Sequence, residues 1–477
     1  NIYQRFRDNE LHFTPGDTNR RMRALALVFV CVLILYGLRL VMVQAVDSDA
    51  MAARAESGRL ATSTLVAPRG TILDSQGVSL AQSVEARNVI VDQTLITDAP
   101  GVAAKLSEVL GLPAADIEKS LIGTKRFNYV TKRISPEEWD RVAALKIPGI
   151  ADEKTTRRDY PSAALAANVL GFVGSDGKGL AGLELALDKR LAGVDGSRSI
   201  EVSDGKIIPT GTDKQVAPVP GSDVKLTIDR DLQYVAQSAI AKQVEAAQAQ
   251  SGSVVLMEAK TGRILAMASV PTIDPNSPGT STPADQQNRS VVEAFEPGST
   301  SKVMTMAAVI NEGKGTPATA FTVPDTIRRA GRSFSDHDSH ETWRLTLAGV
   351  LAKSSNTGTI QAAELIGPDK LYEYLKRFGV GQVTGLGFPG EGSGYVPPVK
   401  DWSGSSFPTI AFGQGLSMSA LQAASVYQTL GNGGQRITPQ LVDSYIDNDG
   451  HVTHPKAPDT SQVVTPETAK QVVEMME

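Results

Sequence analysis

The run Ala24–Val46, ALALVFVCVLILYGLRLVMVQAV, constrains this chain more than any other stretch, because Arg39 is its one charge. As a helix it reaches roughly 34 Å, enough to cross the hydrocarbon core of a bilayer. Arg5, Arg7, Arg20, Arg21 and Arg23 stand before it. By the positive-inside rule, residues 1–23 form a short cytoplasmic tail and residues 47–477 lie outside the cytoplasm. Two readings of the segment stay open. Val43–Ala45 spells V-Q-A, and the apolar core before Arg39 is short enough for a cleaved signal peptide. In an uncleaved anchor, Arg39 either snorkels to the outer interface or faces a partner membrane helix. Cys31, the single cysteine, lies inside this run, so an internal disulfide and a cysteine metal cluster are excluded and a small apolar role is expected.

Beyond the apolar run, 477 residues suggest two or three domains. A net charge of −5 without a basic stripe argues against nucleic acid as a partner. Residues 47–65 keep a helix-compatible, Ala-rich pattern, so the anchor helix is expected to project from the bilayer. PRGTILDSQGVSLAQS then alternates like a hairpin, with Ser75, Gln76 and Gly77 at its turn. Short helices such as PGVAAKLSEVLG and SPEEWDRVAALK follow among short strands, and nothing between about 95 and 220 pairs a nucleophile with a base. Residues 47–220 therefore read as a non-catalytic pedestal. At APVPGSDVKLTIDRDLQ a Pro/Gly linker gives way to a strand and to a helix beginning near Asp229–Leu232. The next segment, SGSVVLMEAKTGRILAMASVP, is a hairpin pattern around Lys260–Gly262. Residues 221–477 open on helix and hairpin and pass into a helix-rich middle, which predicts an α+β fold.

The chemistry concentrates in FEPGSTSKVMTMAAVI, residues 295–310. Pro297 and Gly298 break the preceding structure, and an apolar helix follows. On such a helix Ser299 and Lys302 share a face, so the amine can lie against the hydroxyl and activate it. The alternative is that Ser299 caps the helix and Lys302 is solvated. S-x-x-K also occurs at Ser175–Lys178, Ser203–Lys206 and Ser222–Lys225. The first two read S-D-G-K, a turn, and the third runs into a strand; only the copy at Ser299 opens an apolar helix. Later in the chain, AKSSNTG places Ser354, Ser355 and Asn356 between two helical patterns, where Ser and Asn also make good helix caps. A serine–lysine pair and a later Ser-x-Asn segment are two parts of a serine acyl-transfer site.

The blocks PRGTILDSQG, GLAGLELALDKRLAG, LTIDRDLQ, AKTGRILAMASVP, FEPGSTSKVMT, AKSSNTG, GFPGEGSGYVPP and AFGQGLSMSALQAASVYQTLGNGG occur in an order that resembles a class B penicillin-binding protein. FPGE and PPVKDWSG resemble the division-specific FtsI type. The resemblance implies a penicillin-binding, serine β-lactamase-like transpeptidase domain over residues 221–477 and D,D-transpeptidation of peptidoglycan. It implies Ser299 as the acylated nucleophile, Lys302 as general base, Ser354 as proton relay and Asn356 as a hydrogen-bonding contact to the substrate backbone. It further implies β-lactams as inhibitors, stem peptides and lipid-linked nascent glycan as partners, an FtsW-type glycan polymerase and other division proteins in the membrane, and no cofactor or metal. Alternatives are a D,D-carboxypeptidase or β-lactamase, with water resolving the acyl-enzyme, and a non-catalytic division scaffold or β-lactam sensor. One motif departs from the family pattern. No K-T-G or K-S-G follows Asn356, and Lys260–Gly262, which spells K-T-G, precedes the nucleophile in a hairpin turn. The third motif is expected beyond Glu477. His337 and His340 in SDHDSHETW have acidic neighbours, but a polar loop at the rim of the site is expected rather than a metal centre. GEGSG and GNGG are expected to be turns.

Overall fold

The computed structural model describes residues 18–42, 60–203, 206–208 and 211–477. It divides into two compact units, one within residues 1–64 and 197–216 and the other within 65–196 and 217–477. In the first unit, Thr18–Val41 is a helix exposed on every face and apolar from Ala24 onward, save for Arg39 in its last turn. Among the described residues nothing buries this helix, which fits a single-pass membrane anchor. Residues 43–46 of the expected span lie outside the described residues.

The same unit corrects one expectation. Residues 60–65 do not continue a helix; Leu60–Leu65 is a strand in a four-stranded sheet, paired with Gly196–Ser203, and residues 43–59 of the expected projection lie outside the described residues. Thr62, Ser63 and Thr64 lie in this stretch, where hydroxyl and β-branched side chains suit a pleated surface. Thr62 Oγ1 and Ser199 Oγ share a hydrogen bond of 2.9 Å across the pair.

The second unit is built on a mixed seven-stranded sheet. Its strands run in the order Val452–Thr453, Val442–Ile446, Asp223–Leu226, Ile72–Leu73, Ser79–Val91 and Asn128–Ile134, and Ile150–Asp159 also pairs with Ser79–Val91. Only the pairing of Ile72–Leu73 with Asp223–Leu226 is parallel within this sheet. The expected hairpin forms: Asp74 Oδ1 accepts from the backbone N–H groups of Gln76 and Val78, and Gly77 takes φ +88° to close the turn. Helices Ala99–Leu110, capped by Asp98, and Pro136–Ala144, held by a Ser135/Glu138 capping box, cover one end of the sheet. Behind them Glu184 is fully buried and accepts from Arg69 Nε at 2.5 Å and Arg158 Nε at 2.7 Å, while Arg69 also reaches Asp188 at 2.7 Å. Charges this far from water persist only when paired, so the cluster ties three distant segments of the pedestal to one geometry.

In the C-terminal part, Gly252–Met257 and Ile264–Val270 form the expected antiparallel hairpin, and Lys260–Gly262 sits in its turn. Helix Arg230–Ala247, capped by Asp229, packs on that hairpin, where the Gln233 amide bonds both the N–H and the carbonyl of Met267. Helix Lys302–Asn311 is buried from its first residue through Val309. Its residues belong to two separate apolar clusters, with Val303, Met304 and Ala307 in one and Met306 and Val309 in the other. A helix apolar on all sides has to be central, and this one is enclosed by Leu347–Ala352, Asn356–Glu364, Gly367–Arg377 and Pro466–Glu474.

Candidate active site

Ser299 stands in a 3-10 turn, Gly298–Ser301, that runs directly into the buried helix. Gly298 takes φ +55° and donates its N–H to Gly413 O at 2.9 Å. Gly413 is in turn irreplaceable by geometry, since a Cβ there would lie 2.0 Å from Gly298 O. Ser301 Oγ donates to Gly298 O at 2.8 Å, and Tyr427 OH donates to Thr300 O at 2.9 Å. These bonds pin the turn while leaving Ser299 exposed. Its side chain caps neither the turn nor the helix. The Lys302 N–H donates to Ser299 O, and residues three apart on a 3-10 turn eclipse, so the two side chains leave the backbone on the same side.

Lys302 is fully buried. Its Nζ lies 2.5 Å from Ser354 O, 3.2 Å from Ser354 Oγ and 2.8 Å from Asn356 Oδ1. Burial among apolar neighbours lowers its pKa to about 8, against a smaller opposing pull from the Asp336 carboxylate. As an ammonium the group donates to all three oxygens. As a neutral amine it keeps two N–H donors for Ser354 O and Asn356 Oδ1 and can turn its lone pair to a hydroxyl. The Ser-x-Asn segment is shaped to meet it. Ser355, fully buried, caps helix Asn356–Glu364 by accepting from Gly358 N at 2.9 Å. That leaves the flanking Ser354 and Asn356 free of the capping duty. Ser354 takes φ +52°, an unusual conformation for a residue with a side chain, and it presents both its carbonyl and its hydroxyl to the amine. Asn356 Nδ2 donates to Ser335 O at 3.0 Å, which points Oδ1 at Lys302.

The structure thus brings Lys302, Ser354 and Asn356 into one hydrogen-bonded group, with Ser299 three residues before the lysine. The contacts of the amine are to the Ser354–Asn356 segment and not to Ser299, a difference from the direct serine–lysine contact expected of the helix face. The reason is that three oxygens of that segment, Ser354 O, Ser354 Oγ and Asn356 Oδ1, draw the amine away from the serine. An amine, two hydroxyls and an amide suit proton transfer rather than metal binding. Of the two expected rim histidines, His337 is exposed, while His340 is buried against Asp336 and Trp343. The importance of Gly413, Tyr427 and Asp336 to this geometry was not readable from local pattern, because each acts across a long sequence separation.

The penicillin binding protein transpeptidase domain family matches residues 252–477, and the penicillin-binding protein dimerisation domain family matches residues 64–226. Penicillin-binding protein PbpB of Mycolicibacterium smegmatis is 37% identical over 94% of this chain and 74% of its own length. The peptidoglycan D,D-transpeptidase FtsI of Escherichia coli is 32% identical over 86% of this chain and 71% of its own. The crystal structure of penicillin binding protein 3 from Mycobacterium tuberculosis, complexed with aztreonam, superposes with a TM-score of 0.66 at 33% identity, covering 87% of this chain and 75% of that one. The chain belongs to the class B penicillin-binding proteins, of the FtsI type.

If Lys302 acts as a base, it must be neutral to accept a proton. With a pKa of about 8, the active fraction falls as pH drops below that value, by about tenfold per unit. The second-order rate of acylation by benzylpenicillin, followed from pH 6 to 9, is expected to rise with a midpoint near 8. A rate flat across that range would remove Lys302 from the role of base.

Proposed function

We propose that this chain cross-links peptidoglycan by D,D-transpeptidation through an ester on Ser299. The observation that carries the reading is the buried Lys302 amine, held at 3.2 Å from Ser354 Oγ and 2.8 Å from Asn356 Oδ1 beside an exposed serine on a pinned turn. Lys302 takes the Ser299 hydroxyl proton as Oγ attacks the carbonyl of the penultimate D-Ala. The C–N bond to the terminal D-Ala breaks, and the proton passes through Ser354 Oγ to the leaving amine. An amine from a neighbouring stem then attacks the ester, gives its proton back along the same path, and leaves an amide cross-link and a free Ser299. Asn356 orients the donor stem by hydrogen bonding to its backbone. β-Lactams enter the same path at the first step and remain as the ester. In this reading residues 24–46 anchor the protein, residues 47–220 raise the catalytic region above the membrane, and residues 221–477 belong to the transpeptidase domain, with the N-terminus cytoplasmic and catalysis outside.

Intact mass of the full-length protein after incubation with benzylpenicillin is expected to show one adduct, absent from Ser299→Ala. With a D-Ala-D-Ala stem peptide and an acceptor amine, the product is expected to be the cross-linked amide. Adduct persisting in Ser299→Ala would displace the nucleophile, and hydrolysis alone would make the protein a carboxypeptidase. The resemblance to FtsI also supports a septal role beside an FtsW-type glycan polymerase and other division proteins. Arg39, exposed in the last turn of the anchor helix, offers that contact. Arg39→Ala is expected to weaken co-purification with the polymerase while leaving acylation intact; undiminished co-purification would count against the contact.

A further inference from the structure

Behind the Ser-x-Asn segment lies a polar group that the mechanism above does not use. His340 Nδ1 faces Glu341 O at 2.5 Å, and its Nε2 faces Asp336 Oδ2 at 3.1 Å. A carbonyl and a carboxylate accept, so this geometry favours the ring that donates from both nitrogens, the imidazolium. It stacks on Trp343 with ring centroids 3.5 Å apart and planes 9° apart, a face that attracts cations. The His340 and Asp336 side chains are only 5% and 6% exposed. Burial disfavours the charged ring, but the Glu341 carbonyl and the Asp336 carboxylate outweigh it and raise the His340 pKa. The other oxygen of Asp336 accepts from Thr357 N at 2.9 Å, one residue beyond Asn356, and the neighbouring Ser335 carbonyl holds Asn356 Nδ2.

We propose that Asp336 and His340 are positioning residues for the reaction: the imidazolium fixes the carboxylate, and residues 335–336 then hold Asn356 and Thr357 so that the Ser-x-Asn segment faces Lys302. The pair also sets the charge behind the lysine. Asp336 attracts a proton to Lys302, and in this proposal the His340 ring, bonded to that carboxylate, offsets the attraction when it is charged. Asp325 is the other acidic group acting on His340, Lys353 lies 5.6 Å from the Trp343 ring, and His337 points to solvent. This inference rests on the proposed role of Lys302 as base.

The test compares benzylpenicillin acylation rates against pH for the full-length protein, Asp336→Asn and His340→Gln. Asp336→Asn keeps an acceptor for Thr357 N but removes the charge, so the acid limb moves to lower pH. His340→Gln leaves the carboxylate uncompensated, so the limb moves to higher pH; each shift is expected to be roughly half a unit. Opposite shifts cannot come from loosened packing, which lowers the plateau and, by admitting water to Lys302, moves both midpoints upward. Unmoved midpoints, with or without a lower plateau, overturn the inference while the wild-type reaction at Ser299 stands. Absence of a Ser299 adduct in the wild-type protein overturns the proposed function and this inference with it. Should Asp336→Asn fail to fold, His340→Gln carries the test alone: a higher midpoint at an unchanged plateau supports the inference, and an unmoved midpoint overturns it.

Discussion

Burial of one amine at the head of an apolar helix governs the organisation of the C-terminal region. Lys302 has no exposure to water, yet it carries the residue type with the strongest preference for it. The helix that begins there packs into two apolar clusters at once, so the lysine cannot move outward without disrupting both. Desolvation lowers its pKa, and the remaining polarity is met by three oxygens from a single segment, Ser354–Asn356. An energetically unfavourable placement is thereby made specific. It requires the left-handed Ser354, the cap at Ser355 and the outward tether of Asn356 to Ser335, each of which would be unremarkable alone.

That local arrangement stands on a wider frame. The parallel contact between Ile72–Leu73 and Asp223–Leu226 merges strands of the pedestal and strands that flank the catalytic region into a single sheet. The buried Arg69–Glu184–Arg158 cluster closes the pedestal side with charge rather than apolar packing. Such a cluster adds little net stability over a hydrophobic equivalent, but removing one partner leaves an uncompensated charge, so it favours one arrangement of its three segments over others.

What could be read from the sequence follows the range of the interactions involved. The turn at Ser75–Gly77 is legible because Asp74 and Gly77 make it locally. The same holds for the accidental S-x-x-K copies: at Ser175–Lys178 the Asp176 side chain accepts from Lys178 N in a tight turn, and Ser222–Lys225 leads into a strand. The helix after Ser299 is legible from its unbroken apolar run. Leu60–Leu65 was not, because its composition tolerates a helix and its strand partner lies more than a hundred residues away; the Thr62–Ser199 bond spans 137 positions. Ser354, Ser355 and Asn356 were visible as a group, but their division of labour was not. A cap and a catalytic contact use the same residue types, and only the three-dimensional path shows that Ser355 turns inward while its neighbours face the lysine. Asp336 and His340 were legible as a polar loop near the site, not as a hydrogen-bonded pair with shielded side chains, since shielding depends on what packs over them.

The account depends most on the ionisation of Lys302, and that can be observed without any substrate. Full-length protein with lysine labelled at Cε and Nζ, titrated by NMR from pH 6 to 11 with Lys302→Met to assign the resonance, reports its pKa directly. The account predicts a midpoint of about 8. A midpoint near 10.4, the value of a solvated lysine, would contradict it.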